Sequence, residues 1–381
     1  MPSLPPSPYD VSVFYFPNYH RDPRNEAAHG AGWTEWELVK RALPRFPGHA
    51  QPKVPLWGYE DEADPVIMAR KIAAAADHGI TQFLFDWYWY DDGQFLSRCL
   101  DDGFLGAANV ARLGFSLMWA NHTWTDIHPA KRGHAPVQFP GPVTAETFDR
   151  VCDTVIARYF KHPSYSKIDG CPFFSLYELM TLIRGLGGTE AARLALLRFR
   201  EKARAAGFPD LHLNAVVWGV QILPGEEAIA DPAQLLTHLG FDSVTSYVWI
   251  HHVPLTQFPE TPYEYVMDEA EKHWHSARAE FPLPYFPNVT MGWDSSPRTV
   301  QSDVFEDAGY PFMPMLSGST PARFREALER AKRFLDAAPA DGPRLLTVNA
   351  WNEWTEGSYL EPDTVHGMGY LEAIRDVFGA G

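Results

Sequence analysis

The stretch RLLTVNAWNEWTEGSYLEPD, residues 344–363, begins as an apolar, β-branched run and ends with two tryptophans and three glutamates within eleven positions. Its first half, RLLTVNAWNEW (344–354), reads as a strand buried on both faces, because such strands are nearly continuous apolar runs rather than alternating ones. Working back towards the N-terminus, seven more runs of this kind occur: VSVFYFP (11–17), TQFLFDWYW (81–89), LGFSLMWAN (113–121), CPFFSLYE (171–178), LHLNAVVWG (211–219), DSVTSYVWI (242–250) and PYFPNVTMGW (284–293). Segments with helical spacing separate them, among them 64–79, 144–160, 189–207, 262–281 and 320–338. Thr144 and Thr189, each followed by an acid (Glu146, Glu190), have the form of helix N-caps. Eight strands alternating with helices is the count of an α/β-class closed (β/α)8 TIM barrel, with an open doubly wound sheet as the alternative.

No linker, low-complexity tract or fixed-period repeat interrupts the pattern, so one barrel domain over residues 1–381 is expected, with long loops over the C-terminal mouth. The longest, about 18–63, is rich in Pro, Gly and Trp and includes Trp36; loops of that length are usually functional. The first strand is not followed by G-x-G-x-x-G, and G-x-x-x-x-G-K-[ST] is absent, so phosphate-cradling chemistry has no support.

Composition narrows the function further. With 48 acids against 32 bases and a formal net charge of −16, a nucleic-acid or anionic-membrane partner would meet long-range repulsion. Aromatics make up 14% of the chain, including 13 Trp and 16 Tyr, a surplus suggesting a surface that stacks on something flat. Cys99, Cys152 and Cys171 are odd in number and widely spaced, the pattern of free thiols. The N-terminal MPSLPPSPYD has no basic n-region or apolar h-region, and apolar runs of membrane-spanning length are absent. A cytoplasmic protein without membrane insertion is expected, or a periplasmic or secreted one if a signal has been removed.

In a barrel the reactive residues sit at the C-terminal strand ends. Those ends carry Tyr15 and His20; Asp86, Trp87, Tyr88 and Trp89; Trp119, Asn121 and His122; Tyr177 and Glu178; Trp218; Tyr247; Trp293; and Asn352, Glu353, Trp354 and Glu356. Indoles and phenols that stack on apolar ring faces, beside amides and carboxylates that bond hydroxyls, suit an oligosaccharide or polysaccharide. Glycoside cleavage requires a carboxyl pair, and Glu353 with Glu356 is the natural one. On a strand, positions i and i+3 point to opposite faces roughly 10 Å apart, whereas a helical turn makes them neighbours at about 5–6 Å. The chain is therefore expected to leave the extended conformation at Trp354, with Gly357 tolerating the turn. Glu361 reads either as a loop-shaping acid or as a substrate contact, the loop being the preferred reading. H-E-x-x-H is absent, so neither metal nor cofactor is expected.

The blocks FYFPNYHRD, GAGWTEWELVKRALPRFPGHAQPKVPL, GITQFLFDWYWYDDG, MWANHTWT and NAWNEWTEGSYLEPD, spanning about residues 13–363, resemble the WbsX-type proteins related to glycoside hydrolase family 99, the endo-α-mannosidase family. The resemblance implies a (β/α)8 barrel and metal-independent, retaining hydrolysis of α-mannose-type links, α-mannoside or α-D-rhamnoside. Its N-E-W-x-E-G block matches Asn352, Glu353, Trp354, Glu356 and Gly357. By that similarity Glu353 assists attack by the substrate's own 2-hydroxyl, and Glu356 is general acid, then base. The family block usually reads W-A-N-E-N-W after the third strand; here His122 and Thr123 replace an acid and an amide, which points to different sugar contacts. Family members have also been labelled glycosyltransferases of surface-polysaccharide (O-antigen) synthesis, the second reading; a non-catalytic carbohydrate-binding protein is the third.

Overall fold

The computed structural model describes residues 8–133, 135–220, 222, 229–339 and 342–379. Parallel strands follow one hydrogen-bonded path: Tyr285–Phe286, Ser243–Thr245, His212–Val216, Cys171–Leu176, Gly114–Trp119, Gln82–Tyr90, Asp10–Tyr15, Leu345–Asn349 and Asn288–Thr290. The two ends of this path belong to one chain run split at Pro287. That proline has no N–H to donate to a ladder, although its carbonyl still accepts from the Thr347 amide at 2.9 Å. Residues before it pair with the sixth strand and residues after it with the last, so nine strand segments in eight positions wrap into a barrel.

The expected helices are present as Pro65–Asp77, Ala145–Val155, Thr189–Ala205, Tyr263–Glu280 and Pro321–Asp336. Thr144 caps its helix by accepting from the Thr147 amide at 3.2 Å. Thr189 does not act as a cap: the preceding helix ends in Gly187 and Gly188, at φ of 90° and 119°, and this tight link makes Gly188 the cap position. The sixth strand is also shorter than its apolar run, because Trp249–His251 turns away as a 3-10 segment and the Trp249 indole donates to the Asn288 carbonyl at 2.8 Å.

Period-2 alternation decides what faces the lumen. On the second strand Gln82, Asp86 and Tyr88 point inward, while Phe83, Phe85, Trp87 and Trp89 point towards the helices. The lower lumen is polar: Ser116 bonds Gln82 at 2.9 Å, Asn214 bridges Ser175 and Ser243 at 2.8 and 2.9 Å, and Asn288 donates to Thr347 at 3.1 Å. This hydrogen-bonded floor lies below the opening at the C-terminal strand ends. Among the described residues, no helix is long and apolar enough to cross a membrane.

Candidate active site

The eighth strand position delivers the chain to the mouth and then breaks, as the spacing of the two acids requires. Asn352–Glu353 is a short extended pair, Trp354–Glu356 is a 3-10 turn, and Gly357 closes it at φ 63°. A Cβ on Gly357 would lie 2.7 Å from Asp294 Cβ, so both conformation and space demand glycine there. The turn brings Glu353 and Glu356 into one cleft of about 670 Å³, open to solvent, whose walls include Phe16, Asp86, Tyr88, His122, Trp124, His128, Tyr177, Tyr247, Trp293 and Arg298.

Arg298 is the centre of this cleft. Its Nη2 lies 3.1 Å from Glu353 Oε2 and 3.0 Å from Glu35 Oε1, and its Nη1 donates to Glu356 Oε1. Tyr310 also donates to Glu356 Oε1, at 2.7 Å. The Tyr247 hydroxyl lies 3.0 Å from Asp86 Oδ2 and 3.3 Å from Glu353 Oε1, linking two carboxyls through one phenol. Glu35 is held by Asn18 at 2.6 Å and by the Thr355 hydroxyl.

Three buried carboxyls thus contact one guanidinium, and Asp86 joins them through Tyr247, so full ionisation would leave uncompensated charge. Burial raises the pKa of Glu353 well above the usual range, and Glu356 adds to the rise while Arg298 opposes it. Burial also raises Asp86 well above its ordinary value, with Tyr247 opposing. Glu356 is raised by burial too, against Arg298 and the Tyr310 hydrogen bond. Burial pushes Glu35 up as well, but Arg298, His128, Thr355 and Asn18 outweigh it and hold the carboxyl below its ordinary value. Burial therefore favours the protonated form of Asp86, Glu353 and Glu356 while the partners of Glu35 favour its ionised form, a division that acid–base chemistry needs.

Of the residues expected from the strand ends, Asp86, Tyr88, His122, Tyr177, Tyr247, Trp293, Glu353 and Glu356 meet in the cleft. The others do not line it. Trp87, Trp89 and Trp119 lie one position out of phase with Asp86, Tyr88 and Met118; they pack on each other, and Trp119 stacks on Phe148 at 6.0 Å. Tyr15 faces the helix layer, with its hydroxyl 3.8 Å from Met68 Sδ. Trp36 packs behind the catalytic turn, its indole donating to the Glu60 carbonyl at 2.8 Å and its ring 5.8 Å from that of Trp354. His20 is buried and held as the neutral ring, its pKa lowered to about 4. Asn121 bonds both backbone groups of Glu178, which in turn caps helix Leu179–Leu186. Trp218 packs behind Tyr177 at 4.9 Å. Asn352 ties the Phe16 backbone to Glu62, and Trp354 donates to Glu361 at 2.8 Å and stacks on Tyr359 at 3.8 Å.

Glu361, expected to shape a loop, does so through a buried ion pair. Lys71 Nζ lies 2.6 Å from both Glu62 Oε1 and Glu361 Oε1, all three side chains being essentially unexposed. Through Asn352 and Trp354 these acids grip the residues on either side of Glu353. Arg298, Glu35 and Tyr310 were missed from sequence because each comes from a loop with no periodicity. A weak signal existed only for Glu35, inside the Trp-rich block GAGWTEWE.

A parallel barrel with buried carboxyls converging at its C-terminal mouth defines the class: an α/β barrel. The chain belongs to the family described as Glycosyltransferase WbsX, which matches residues 11–374. Two Xanthomonas campestris proteins described as uncharacterized protein WxcX are 28% and 29% identical over 97% of this chain. The chain spans about half the length of these curated relatives, 49% in each case. Solved structures of similar fold include a glycoside hydrolase-like protein (TM-score 0.63, 15% identity, covering 100% of this chain and 96% of that one). They also include the GH99 endo-alpha-mannosidase from Bacteroides thetaiotaomicron (TM-score 0.54, 15% identity, 98% and 97%) and a family 1 β-glucosidase from Thermotoga maritima (TM-score 0.51, 11% identity, 99% of each).

Proposed function

We propose that the chain is one catalytic barrel domain, a retaining glycoside hydrolase acting on α-linked mannose-type residues (α-mannoside or α-D-rhamnoside) of a glycan or surface polysaccharide. The observation that carries this reading is the turn at Trp354–Glu356, which brings Glu353 and Glu356 into one aromatic-walled cleft under one guanidinium. In this reading Glu353 draws the proton from the sugar's 2-hydroxyl as that oxygen attacks the anomeric carbon. Glu356 protonates the departing oxygen, then activates water. Tyr88, Tyr177 and Trp293 supply faces for the ring, and His122 and Asp86 bond hydroxyls. Burial raises both carboxyls, Arg298 opposes the rise at each, and Tyr310 also opposes it at Glu356.

Aryl α-mannosides with poor and with activated leaving groups test these roles. Glu356→Gln is expected to lose about 10² to 10⁴ in rate on the poor leaving group and to lose less on the activated one, whose departure needs no acid although the water step still lacks its base. Glu353→Gln is expected to lose activity on both. Equal rates for wild type and both variants would overturn the reading.

The WbsX family description supports a second reading, transfer from an activated sugar donor. A product formed only when a nucleotide sugar is supplied, and lost in Glu353→Gln, would put transfer first.

A further inference from the structure

We infer that His29, Asp126 and His128 form a binding site for a divalent transition-metal ion, zinc by the chemistry of its donors, at the rim of the cleft. One ligand atom from each side chain lies within 4.8 Å of the other two. Two imidazoles and one carboxylate are the donor set of zinc sites that keep an open position for water. The three residues come from two segments far apart in sequence, the end of helix Pro23–His29 and the loop after Thr125, so no single motif displays them.

Independent features point to a ligand. His128 is 3% exposed, and its Nε2 is buried without a hydrogen-bond partner. Leaving such a nitrogen unpaired is costly, and a metal would satisfy one histidine nitrogen of the cluster directly. Both rings are also held in orientation by indoles: His29 lies 4.3 Å from Trp33, and His128 stacks on Trp124 at 5.2 Å with 8° between planes. Pre-orienting the rings favours chelation over mobile single contacts. Glu35 Oε2, 3.6 Å from His128 Nε2, adds negative charge beside that same nitrogen. Because Trp124 and His128 belong to the cleft wall, the ion would pin that wall to helix Pro23–His29. The inference rests on ligand chemistry and does not depend on the glycosidase reading.

The test is calorimetric titration of chelator-stripped protein with Zn²⁺. Wild type is expected to bind one equivalent, and His29→Ala and Asp126→Asn to bind about 100-fold more weakly, since each removes a donor. The exposed His238→Ala and His275→Ala variants control for surface imidazoles and should bind as wild type. Wild-type affinity weaker than about 100 µM, or unchanged binding in the His29→Ala/Asp126→Asn double variant, would overturn the site. X-ray absorption on the wild-type Co²⁺ adduct gives a check free of variant folding: a first shell with two imidazoles supports the site, and an oxygen-only shell overturns it.

Discussion

Replacing Arg298 by methionine would leave Glu35, Glu353 and Glu356 facing one another without the guanidinium that contacts all three. Removing one partner from a buried charge cluster costs roughly 3–5 kcal/mol, so Arg298→Met should lower the unfolding free energy by that order in urea titrations near neutral pH. The loss should shrink in acid, where the carboxyls take up protons; a pH-independent loss would contradict this charge balance. None of this was legible in SSPRTV, where Arg298 has neither periodicity nor spacing to the glutamates it serves. Glu353 and Glu356 were legible, because only a turn lets an i, i+3 pair share a cavity, and that turn is present. The indoles misled for a local reason: Trp87 and Trp89 sit between inward-facing residues, and a shift of one position on a strand changes the face. Much of the tryptophan surplus is packing, with Trp119, Trp249, Trp274, Trp351 and Trp354 fully buried, while Trp124 and Trp293 line the cleft.

The turn at Trp354–Glu356 is held from both sides as an element. Lys71 on helix Pro65–Asp77 joins Glu62 and Glu361, and these acids bond Asn352 and Trp354 around Glu353. Lys71→Met should destabilise the fold by about 3–5 kcal/mol by stranding two buried acids. If the clamp aims Glu353, the surviving folded enzyme should lose kcat more than it changes KM. Gly357→Ala should act more locally, since it alters a backbone at φ 63° against Asp294 and leaves every carboxyl in place. A drop in kcat with a loss of about 1–3 kcal/mol in stability is expected, and unchanged kinetics would show that the turn's shape does not matter. Long helices were readable from spacing because their apolar faces repeat over several turns. The link at Gly187–Gly188 and the early end of the sixth strand were not, since a local turn of two glycines at positive φ decides the first and the tertiary hydrogen bond of Trp249 the second.

For the whole molecule, charge and pH act together. Burial holds Asp86, Glu353 and Glu356 above their ordinary pKa values. A carboxyl raised in the folded state adds stability that is complete below its unfolded pKa and is lost as pH rises through the folded one. Asp294 is the opposite case: burial raises its pKa, but the His49 hydrogen bond at 2.8 Å and other partners bring it down to about 2 from 3.8. Its contribution is present above the unfolded value and lost as pH falls through about 2. Melting temperature should therefore rise on acidification from neutral and fall again in stronger acid. Glu353→Gln and Asp86→Asn should flatten the first limb, and a wild-type profile already flat from neutral to mildly acid pH would contradict the raised pKa values.

The order in which strands pair has a consequence for how the protein is made. Asp10–Tyr15 lies between Gln82–Tyr90 and Leu345–Asn349, and the latter also pairs with Asn288–Thr290. A chain leaving the ribosome thus carries two open strand edges until the last strand emerges and slots between them. Open edges invite pairing with other chains, so this interval is when the nascent protein depends most on chaperones. The segment that seals the barrel continues directly into the turn bearing Glu353 and Glu356. A partly synthesised chain consequently holds no assembled carboxyl pair, and closure of the barrel and arrival of its chemistry coincide.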